Sequence, residues 1–166
     1  MSDTTLRQMV DADRPMLEQL WQLYSHDLSG FRQKLPDSEG RFRLGRFPTY
    51  FGDPDRTGYV LSHDGGLAGF AFVSGLLGPR RAMAEFFVAR AARRRRVGYT
   101  AARELFARHP GEWEIGFQEE NAGAPDFWRR VVTDAVGSTW REELREVPDR
   151  PGRQGIPPDH ILVFTV

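Results

Sequence analysis

The sequence contains no cysteine. This absence excludes disulfide bonds, a thiolate nucleophile and metal ligation by cysteine, and we expect no metal site. A long apolar run is also missing, because the longest one, residues 67–77, contains glycines and is too short to cross a bilayer. The first residues lack the basic region and apolar core of a secretory signal peptide. We therefore expect a cytoplasmic protein without a membrane partner.

Net charge is the next thing that the chain lacks. Its 166 residues include 23 Lys+Arg and 23 Asp+Glu, so the chain as a whole is not attracted to nucleic acid or to anionic membranes. The size, with 40% hydrophobic and 28% charged residues, fits one globular domain over residues 1–166, present as a monomer or homodimer. Positive charge is nevertheless concentrated locally, at Arg80, Arg81 and residues 90–96.

A strand–helix–strand unit surrounds this basic segment. Residues 84–88 form a short, aromatic-rich apolar run that is typical of a buried strand. Residues 99–109 are strong helix formers and end at Pro110 and Gly111. Residues 112–118 alternate like a strand. This order predicts two parallel strands joined by a right-handed crossover.

The loop between the first strand and the helix predicts an anion site. The first N–H groups of a helix are unpaired and carry the positive end of its dipole, which suits phosphate. Arg93, Arg94, Arg95 and Arg96 add guanidinium donors at the same point. The alternative is a solvated basic turn without a ligand.

Two motifs here resemble those of the GNAT-type N-acyltransferases, the acetyl-CoA-dependent N-acetyltransferases. Residues 88–98 resemble the strand ending in Val and the Arg/Gln-x-x-Gly-x-Gly/Ala loop, with Arg93 first and Gly98 last, but with Arg96 in place of the first Gly. Residues 121–128 resemble Asn-x-x-Ala-x-x-Phe-Tyr, with Asn121 at its start and Trp128 in place of Tyr. The two motifs together are far more specific than either alone.

The remaining pattern agrees in element order with that family. It predicts a strand at residues 6–10, a helix from Asp13 to Gly30, a short helix near residues 46–51, a hairpin at residues 58–77 and later strands at 138–147 and 160–166. Residues 148–159 are expected to be a loop. The resemblance implies an α/β fold with a central mixed sheet of about seven strands and helices on both faces.

The resemblance also implies a reaction. Acetyl-CoA or another acyl-CoA would lie between the parallel strands, and a small-molecule or peptide primary amine would attack its thioester in a ternary complex. A backbone N–H near Phe87 and Val88 would polarise the carbonyl if the strand splays or bulges there. The residues implied in donor binding are Phe86, Phe87, Val88, Arg93, Arg94, Arg95, Arg96, Val97, Gly98, Tyr99, Asn121, Phe127 and Trp128.

Glu85 is the candidate general base, because it is the one charged residue in residues 83–88. Burial on an apolar strand raises a carboxyl pKa toward neutrality, which suits a base. The alternative is a surface glutamate paired with Arg81, and His26, His63 and His160 are weaker candidates for the base. Trp128 cannot give up a proton usefully, so the thiolate would leave unassisted or with water.

The first helix and the segment after it are expected to bind the acceptor. Candidates are Tyr24, His26, Asp27, Phe31 and Tyr50, with Asp27 placed to hold a cationic amine. The alternative is that Tyr24 belongs to the core and Asp27 is a polar helix-end residue.

Two other functions stay open from the sequence. A transferase of the same fold could use an aminoacyl-tRNA donor, which the basic cluster and the missing glycine favour and the neutral overall charge disfavours. A CoA-binding module without turnover is the other, since the tyrosine is missing and the loop motif is incomplete.

Overall fold

A computed structural model describes residues 3–151 and 154–166 of the chain. The described residues form seven strands and three α-helices in the expected order. The strands are β1 (Thr4–Gln8), β2 (Arg56–His63), β3 (Gly66–Ser74), β4 (Arg80–Val88), β5 (Glu112–Phe117), β6 (Arg141–Arg145) and β7 (Asp159–Thr165). The helices are α1 (Arg14–Arg32), α2 (Val97–Arg108) and α3 (Ala124–Val136).

All seven strands belong to one mixed sheet, with the order β1-β2-β3-β4-β5-β7-β6. β4 and β5 pair in parallel, and every other neighbouring pair is antiparallel. The parallel pair is joined by α2, because only a crossover can connect parallel neighbours. The predicted strand–helix–strand unit is thus confirmed, and so is the mixed sheet of seven strands.

The helices cover both faces of the sheet. On one face α1 and a 3₁₀ turn at Phe47–Tyr50 pack on β2, β3 and β4 through a mostly aromatic cluster. On the other face α2 and α3 pack on a larger cluster that contains Trp113 and Leu162. Successive residues of β4 alternate between them, so that Phe87 faces α1 while Phe86 and Val88 face α2 and α3.

The first helix differs from its prediction at both ends. Asp13 stands at the expected N-cap, but its side chain caps no N–H of α1. Its carboxylate instead accepts the Val10 N–H at 2.8 Å and a forked pair of bonds from Arg7. The helix also continues past Gly30 to Arg32 and ends where Gln33 adopts a left-handed φ of 50°. A glycine inside a helix costs only about 1 kcal/mol, which the packing of buried residues such as Leu28 outweighs.

Smaller differences occur near the C-terminus. The strand expected at residues 138–147 is confined to Arg141–Arg145, an edge strand that pairs only with β7. The predicted loop at 148–159 is confirmed in its described part, whereas residues 152 and 153 lie outside the described residues. In residues 3–151 and 154–166, no helix combines the length and the hydrophobicity needed to cross a membrane.

Candidate active site

The two parallel central strands separate part-way along their length. Their pairing runs from Arg80 opposite Glu112 to Met83 opposite Ile115 and stops there, although β4 continues to Val88. On its other edge β4 remains paired with β3 to its end. The register of that pairing shifts at Ala84, which has no partner on β3, and such a bulge bends a strand. Residues 84–88 therefore present an open backbone edge in the middle of the sheet.

The open edge carries unpaired N–H groups. The Ala89 N–H donates to the Ala68 carbonyl at 2.8 Å, on the β3 side. Since successive backbone N–H groups of a strand point to opposite edges, those of Phe86 and Val88 point to the open side. The sequence expectation placed a splayed or bulged strand near Phe87 and Val88, and the bulge lies slightly earlier, at Ala84.

Two clefts meet at this edge. The first, of about 1090 Å³, is lined by the arginine-rich loop after β4, the first turn of α2 and the start of α3; we call it the loop cleft. The second, of about 950 Å³, is lined by the end of α1, the segment after it, β4 and β5; we call it the Glu85 cleft. Six residues line both clefts: Tyr24, Leu28, Phe86, Asn121, Ala124 and Trp128.

The start of α2 points free N–H groups into the loop cleft. Arg96 is the N-cap residue, and its carbonyl accepts the first helical hydrogen bond from the Thr100 N–H at 2.8 Å. The N–H groups of Val97, Gly98 and Tyr99 precede that bond and have no partner within the helix. Arg94 and Arg96 have φ angles of 63° and 64°, a left-handed conformation that glycine adopts without steric cost. Arg96 therefore reproduces the backbone that the motif's glycine would supply.

Asp27 of α1 anchors the loop. Its Oδ1 accepts Arg90 Nε and Nη2 at 3.2 and 3.1 Å, and its Oδ2 accepts Arg93 Nη2. Arg93 Nε also donates to the Val88 carbonyl at 2.8 Å. The carboxylate of Asp27 is thus already paired with two guanidinium groups, and the expectation that it holds a cationic amine is not supported. Its position makes it a brace between α1 and the loop.

Gly98 is required by packing. A Cβ at this position would lie 3.3 Å from Phe127 and 3.4 Å from both Phe86 and Val88. The first turn of α2 therefore lies directly against β4 and α3. The expected reason, access of a ligand to the backbone, is joined here by a tight contact of three elements.

Glu85 lies on the α1 face of β4, with 10% of its side chain exposed. It accepts a short hydrogen bond from the Tyr24 hydroxyl, and Arg46 Nε lies 3.3 Å from its other oxygen. Burial raises the pKa of Glu85 above its usual value, and the hydrogen bond from Tyr24 and the charges of Arg46 and Arg32 only partly oppose this. Arg46, 61% exposed, is a weak counter-charge because water screens it. The partner considered from the sequence, Arg81, forms no ion pair with Glu85 in the described residues.

Tyr24 is held in an aromatic environment. Its ring lies 5.4 Å from Trp21, 5.5 Å from Phe70 and 6.1 Å from Phe87, centroid to centroid. Burial, followed by the negative charge of Glu85, raises the pKa of Tyr24 well above its usual value. The hydroxyl therefore keeps its proton over the whole physiological range and shares it with Glu85.

The aromatic residues of the second motif close the loop cleft. Trp128 is buried and packs edge-on against Phe86 at 5.0 Å between ring centroids. Phe127 packs against both rings, at 4.8 Å from Trp128 and 6.1 Å from Phe86. Asn121 lies in the turn before α3, where its backbone N–H donates to the Gln118 carbonyl at 3.1 Å. Core packing and cleft lining are therefore both true of this motif.

Most of the predicted site residues line the clefts, and three do not. Arg95 is exposed and lines neither cleft. His26 also lines neither cleft and lies near Phe42, at 6.3 Å between ring centroids. Tyr50 is buried under a stack with Phe72 at 4.3 Å. The residues that do line the loop cleft are Tyr24, Asp27, Phe31, Phe86, Phe87, Val88, Arg93, Arg94, Arg96, Val97, Gly98, Tyr99, Asn121, Phe127 and Trp128.

The two remaining histidine candidates lie away from Glu85. His63 was expected to be solvated in a turn, but it ends β2 with 7% of its side chain exposed and contacts the Thr4 hydroxyl at 3.2 Å. His160 Nδ1 lies 2.6 Å from Glu142 near the far edge of the sheet. Neither lines a cleft.

The sequence reasoning missed the segment that follows α1. The amide of Gln22 holds it onto the helix, donating to the Phe42 carbonyl at 2.9 Å and accepting the Phe42 N–H at 2.7 Å. This contact brings Arg41, Arg43 and Arg46 over the Glu85 cleft. The signal in the sequence is only that residues 32–48 are polar and basic, and a loop without periodicity does not reveal where it folds back.

Comparison with known proteins gives one family and a common fold. The model of the acetyltransferase (GNAT) family matches residues 17–132. An acetyltransferase from Thermus thermophilus has a similar structure, with a TM-score of 0.65 at 18% identity over 98% of this chain and 97% of that one. A ribosomal-protein alanine N-acetyltransferase from Escherichia coli has a TM-score of 0.63 at 14% identity, covering 98% and 94%.

A variant of a spermidine N-acetyltransferase from Vibrio cholerae is similar to the same degree, with a TM-score of 0.63 at 12% identity over 98% of this chain and 93% of that one. Identities this low reflect a shared fold alone. No curated protein matches the chain.

Proposed function

This chain is a member of the acetyltransferase (GNAT) family, and from that premise we propose that it transfers an acyl group, acetyl in the simplest case, from acyl-CoA to a primary amine in a ternary complex. The observation that carries this proposal is the open edge of β4 after Met83, with the loop cleft and the Glu85 cleft meeting at it. Such an edge lets a thioester and an amine reach one point from two directions.

The loop cleft suits the donor. The free N–H groups of Val97, Gly98 and Tyr99 would bind its diphosphate. Arg94 and Arg96 line the same cleft without a carboxylate partner among the described residues, so their guanidinium groups are available for phosphate oxygens. The acyl end would then reach the open edge, where the Phe86 or Val88 N–H donates to the thioester carbonyl and polarises it.

The Glu85 cleft suits the amine. The amine nitrogen attacks the carbonyl carbon, the new C–N bond forms, and Glu85 takes the proton that the nitrogen loses. A carboxylate whose pKa is raised by burial is a stronger base than an ordinary glutamate. The C–S bond then breaks and the sulfur leaves as a thiolate.

We assign the proton of the leaving thiol to Tyr24. Among the six described residues that line both clefts, Tyr24 is the one with an ionisable hydroxyl. It gives its proton to the thiolate and receives the proton that Glu85 has just taken, through the hydrogen bond that joins them. The charges balance, with one proton moved from nitrogen to sulfur. This role replaces the tyrosine that the second motif lacks at Trp128.

The decisive experiment pairs binding with turnover. We expect acetyl-CoA to bind in a calorimeter and CoA thiol to appear in step with N-acetylated product when a primary amine is added. Binding of acetyl-CoA with no transfer to any amine would instead identify a CoA-binding module without turnover.

An aminoacyl-tRNA donor is a second candidate, supported by the arginines without carboxylate partners at both clefts, which also suit a polyanion. Tight binding of acetyl-CoA in the presence of excess aminoacyl-tRNA would exclude it. Failure to bind acetyl-CoA, together with transfer from aminoacyl-tRNA, would replace the first proposal by the second.

A further inference from the structure

The Glu85 cleft has an unusual charge balance for a protein with no net charge. Six cationic residues line it, against four carboxylates. The cationic residues are Arg32, Lys34, Arg41, Arg43, Arg46 and Arg150, and the carboxylates are Asp37, Glu85, Glu114 and Asp159.

The carboxylates of the cleft are already engaged. Asp37 Oδ1 accepts the backbone N–H groups of Glu39 and Arg41 at 3.0 and 2.9 Å. Glu114 is paired with Arg80 at 3.4 Å and with Arg145 at 3.3 Å. Asp159 accepts a hydrogen bond from Gln118. Glu85 is engaged by Tyr24 and Arg46, and we have assigned it to the amine.

Most arginines of the cleft have no carboxylate partner. Twelve described arginines form an ion pair with a carboxylate. Nine described arginines form none, and four of these nine line the Glu85 cleft and two line the loop cleft. The nine are Arg32, Arg41, Arg43, Arg81, Arg94, Arg95, Arg96, Arg103 and Arg150.

Arginines without a carboxylate partner therefore collect where substrates enter. At the loop cleft the proposed function provides their partner, the phosphates of the donor. At the Glu85 cleft no phosphate of the donor is needed, because the donor is bound on the other side of the open edge. The available guanidinium groups there point to a second anion, carried by the acceptor.

Resting on the proposed function, we propose that the acceptor is a small amine that carries a carboxylate or phosphate group in the same molecule. Its amine faces Glu85, and its anionic group faces Arg41, Arg43 and Arg150 at the rim. Guanidinium groups bind both anions through paired N–H donors. A diamine would bring a second cation to this rim, so it is disfavoured by repulsion. A cleft of about 950 Å³ has the size of a small-molecule site.

The test compares matched amines at saturating acetyl-CoA. The probes are ω-amino carboxylates, ω-aminoalkyl phosphates, ω-amino alcohols and α,ω-diamines of equal chain length. We expect kcat/KM to be about 10–100-fold higher for the better anionic series than for the alcohols, and lowest for the diamines, as charged hydrogen bonds predict. The ranking of carboxylate against phosphate identifies the anion.

Variants connect the preference to the rim. The double substitution Arg41→Gln with Arg43→Gln, and separately Arg150→Gln, should reduce the preference for the anionic series, mainly through KM. Arg141→Gln is the matched control, because Arg141 is exposed on β6, is paired with Glu143 and lines neither cleft. A preference that survives both rim changes, or one that Arg141→Gln also removes, overturns the assignment to the rim.

A binding experiment separates this inference from the proposed function. The same amines are titrated into the protein with CoA present and no acyl group. Selective, Arg43-dependent binding of the anionic amines would support the inference even if no transfer occurred, and the proposed function alone would then fail. Equal binding or equal turnover of alcohols, diamines and anionic amines overturns the inference and leaves the proposed function intact.

Discussion

Glu85 and Glu142 are both hydrogen-bonded glutamates on strands of the same sheet, and their pKa values move in opposite directions. Glu142 on β6 accepts Arg129 Nε and Nη2 at 3.0 and 2.7 Å and contacts His160 Nδ1 at 2.6 Å. The hydrogen bond from Arg129 lowers its pKa most, and His160 adds to this. Glu85 has one hydroxyl and one exposed arginine as partners, and burial raises its pKa.

The comparison shows that a cluster of polar side chains is not by itself a reactive site. Glu119, Glu142 and His160 place one ligand atom each within 4.8 Å of one another, a spacing that could hold a metal ion. Arg129 Nη2 already lies between the two carboxylates, at 2.6 Å from Glu119 and 2.7 Å from Glu142, so the cluster is neutralised from within. Glu85 is the carboxylate left short of partners, at the edge where two clefts meet.

The largest expected effect breaks the comparison at its reactive side. Glu85→Gln keeps the size and the hydrogen bond from Tyr24 but removes the base. We expect kcat to fall about 10²–10⁴-fold, the usual span for general base catalysis, with little change in acetyl-CoA affinity. Glu142→Gln is the matched control and should leave kcat within a few-fold. Equal losses in the two variants would mean that neither acts on the substrate.

The pH dependence sharpens this result. Glu85 must be ionised to act, and since its pKa is raised, activity should begin to fall on acidification at a higher pH than for an ordinary glutamate. The limb should vanish in Glu85→Gln. Two amines of different pKa provide the control. A limb that follows the amine in both proteins removes Glu85 from the mechanism.

Removing the partner of Glu85 should cost less. Tyr24→Phe keeps the ring among Trp21, Phe70 and Phe87 and removes the proton donor to the thiolate. A thiol leaves readily at neutral pH, so we expect kcat to fall only about 10–100-fold, toward the low end for acid catalysis. A donor with a more acidic thiol should rescue Tyr24→Phe more than the parent. Equal behaviour of the two donors would remove Tyr24 as the acid.

The same contrast exists among the arginines of the loop. Arg93 is held by Asp27 and by the Val88 carbonyl, so its loss disturbs the loop as well as removing charge. Arg93→Ala should weaken acetyl-CoA binding by about 1–3 kcal/mol, measured by calorimetry. Asp27→Asn should give part of the same loss, because it releases Arg90 and Arg93 together. Unchanged affinity in both variants would show that the brace does not shape the donor site.

How far the sequence predicts this molecule depends on the range of the signal. Elements with local periodicity, such as α2 and β5, were predicted almost to the residue, and Glu85 was found because it interrupts an apolar strand. The bulge at Ala84 was not placed, since a bulge is set by the pairing of β3 with β4 over a distance in sequence. The same holds for Arg46, whose approach to Glu85 spans 39 residues of chain.

Asp27 was misread for a related reason. A carboxylate on a helix near the acceptor side is a fair candidate for binding a cation, and it does bind one. The cation is supplied by Arg90 and Arg93 of the protein itself, more than sixty residues away in the sequence. Composition shows which charges exist, but only the fold shows which of them are already paired.

A smaller effect separates the two glutamates by stability. The pKa of Glu142 is lowered, so its stabilising contribution is present above the unfolded-state pKa and is lost as the pH falls through the folded-state pKa. The pKa of Glu85 is raised, so its ionisation costs stability as the pH rises above the unfolded-state value. At pH near 7, Glu142→Gln should therefore lower Tm, by a loss of up to about 1 kcal/mol, and Glu85→Gln should not lower it. Thermal unfolding at neutral and acid pH measures both, and the difference should shrink in acid.

The smallest expected effect concerns Arg96. Its φ of 64° costs a residue with a side chain about 1 kcal/mol, and its guanidinium lies 4.9 Å from the Tyr99 ring centroid, a contact worth about 0.5–1 kcal/mol. Arg96→Gly exchanges one for the other, so Tm should change little and acetyl-CoA should bind equally or more tightly. Arg95→Gly is the control: Arg95 has no positive φ to relieve, so glycine there should only lower stability slightly. A collapse of donor binding in Arg96→Gly alone would mean that the Arg96 side chain itself binds the donor, and a polyanionic donor such as aminoacyl-tRNA would become the better interpretation of the loop.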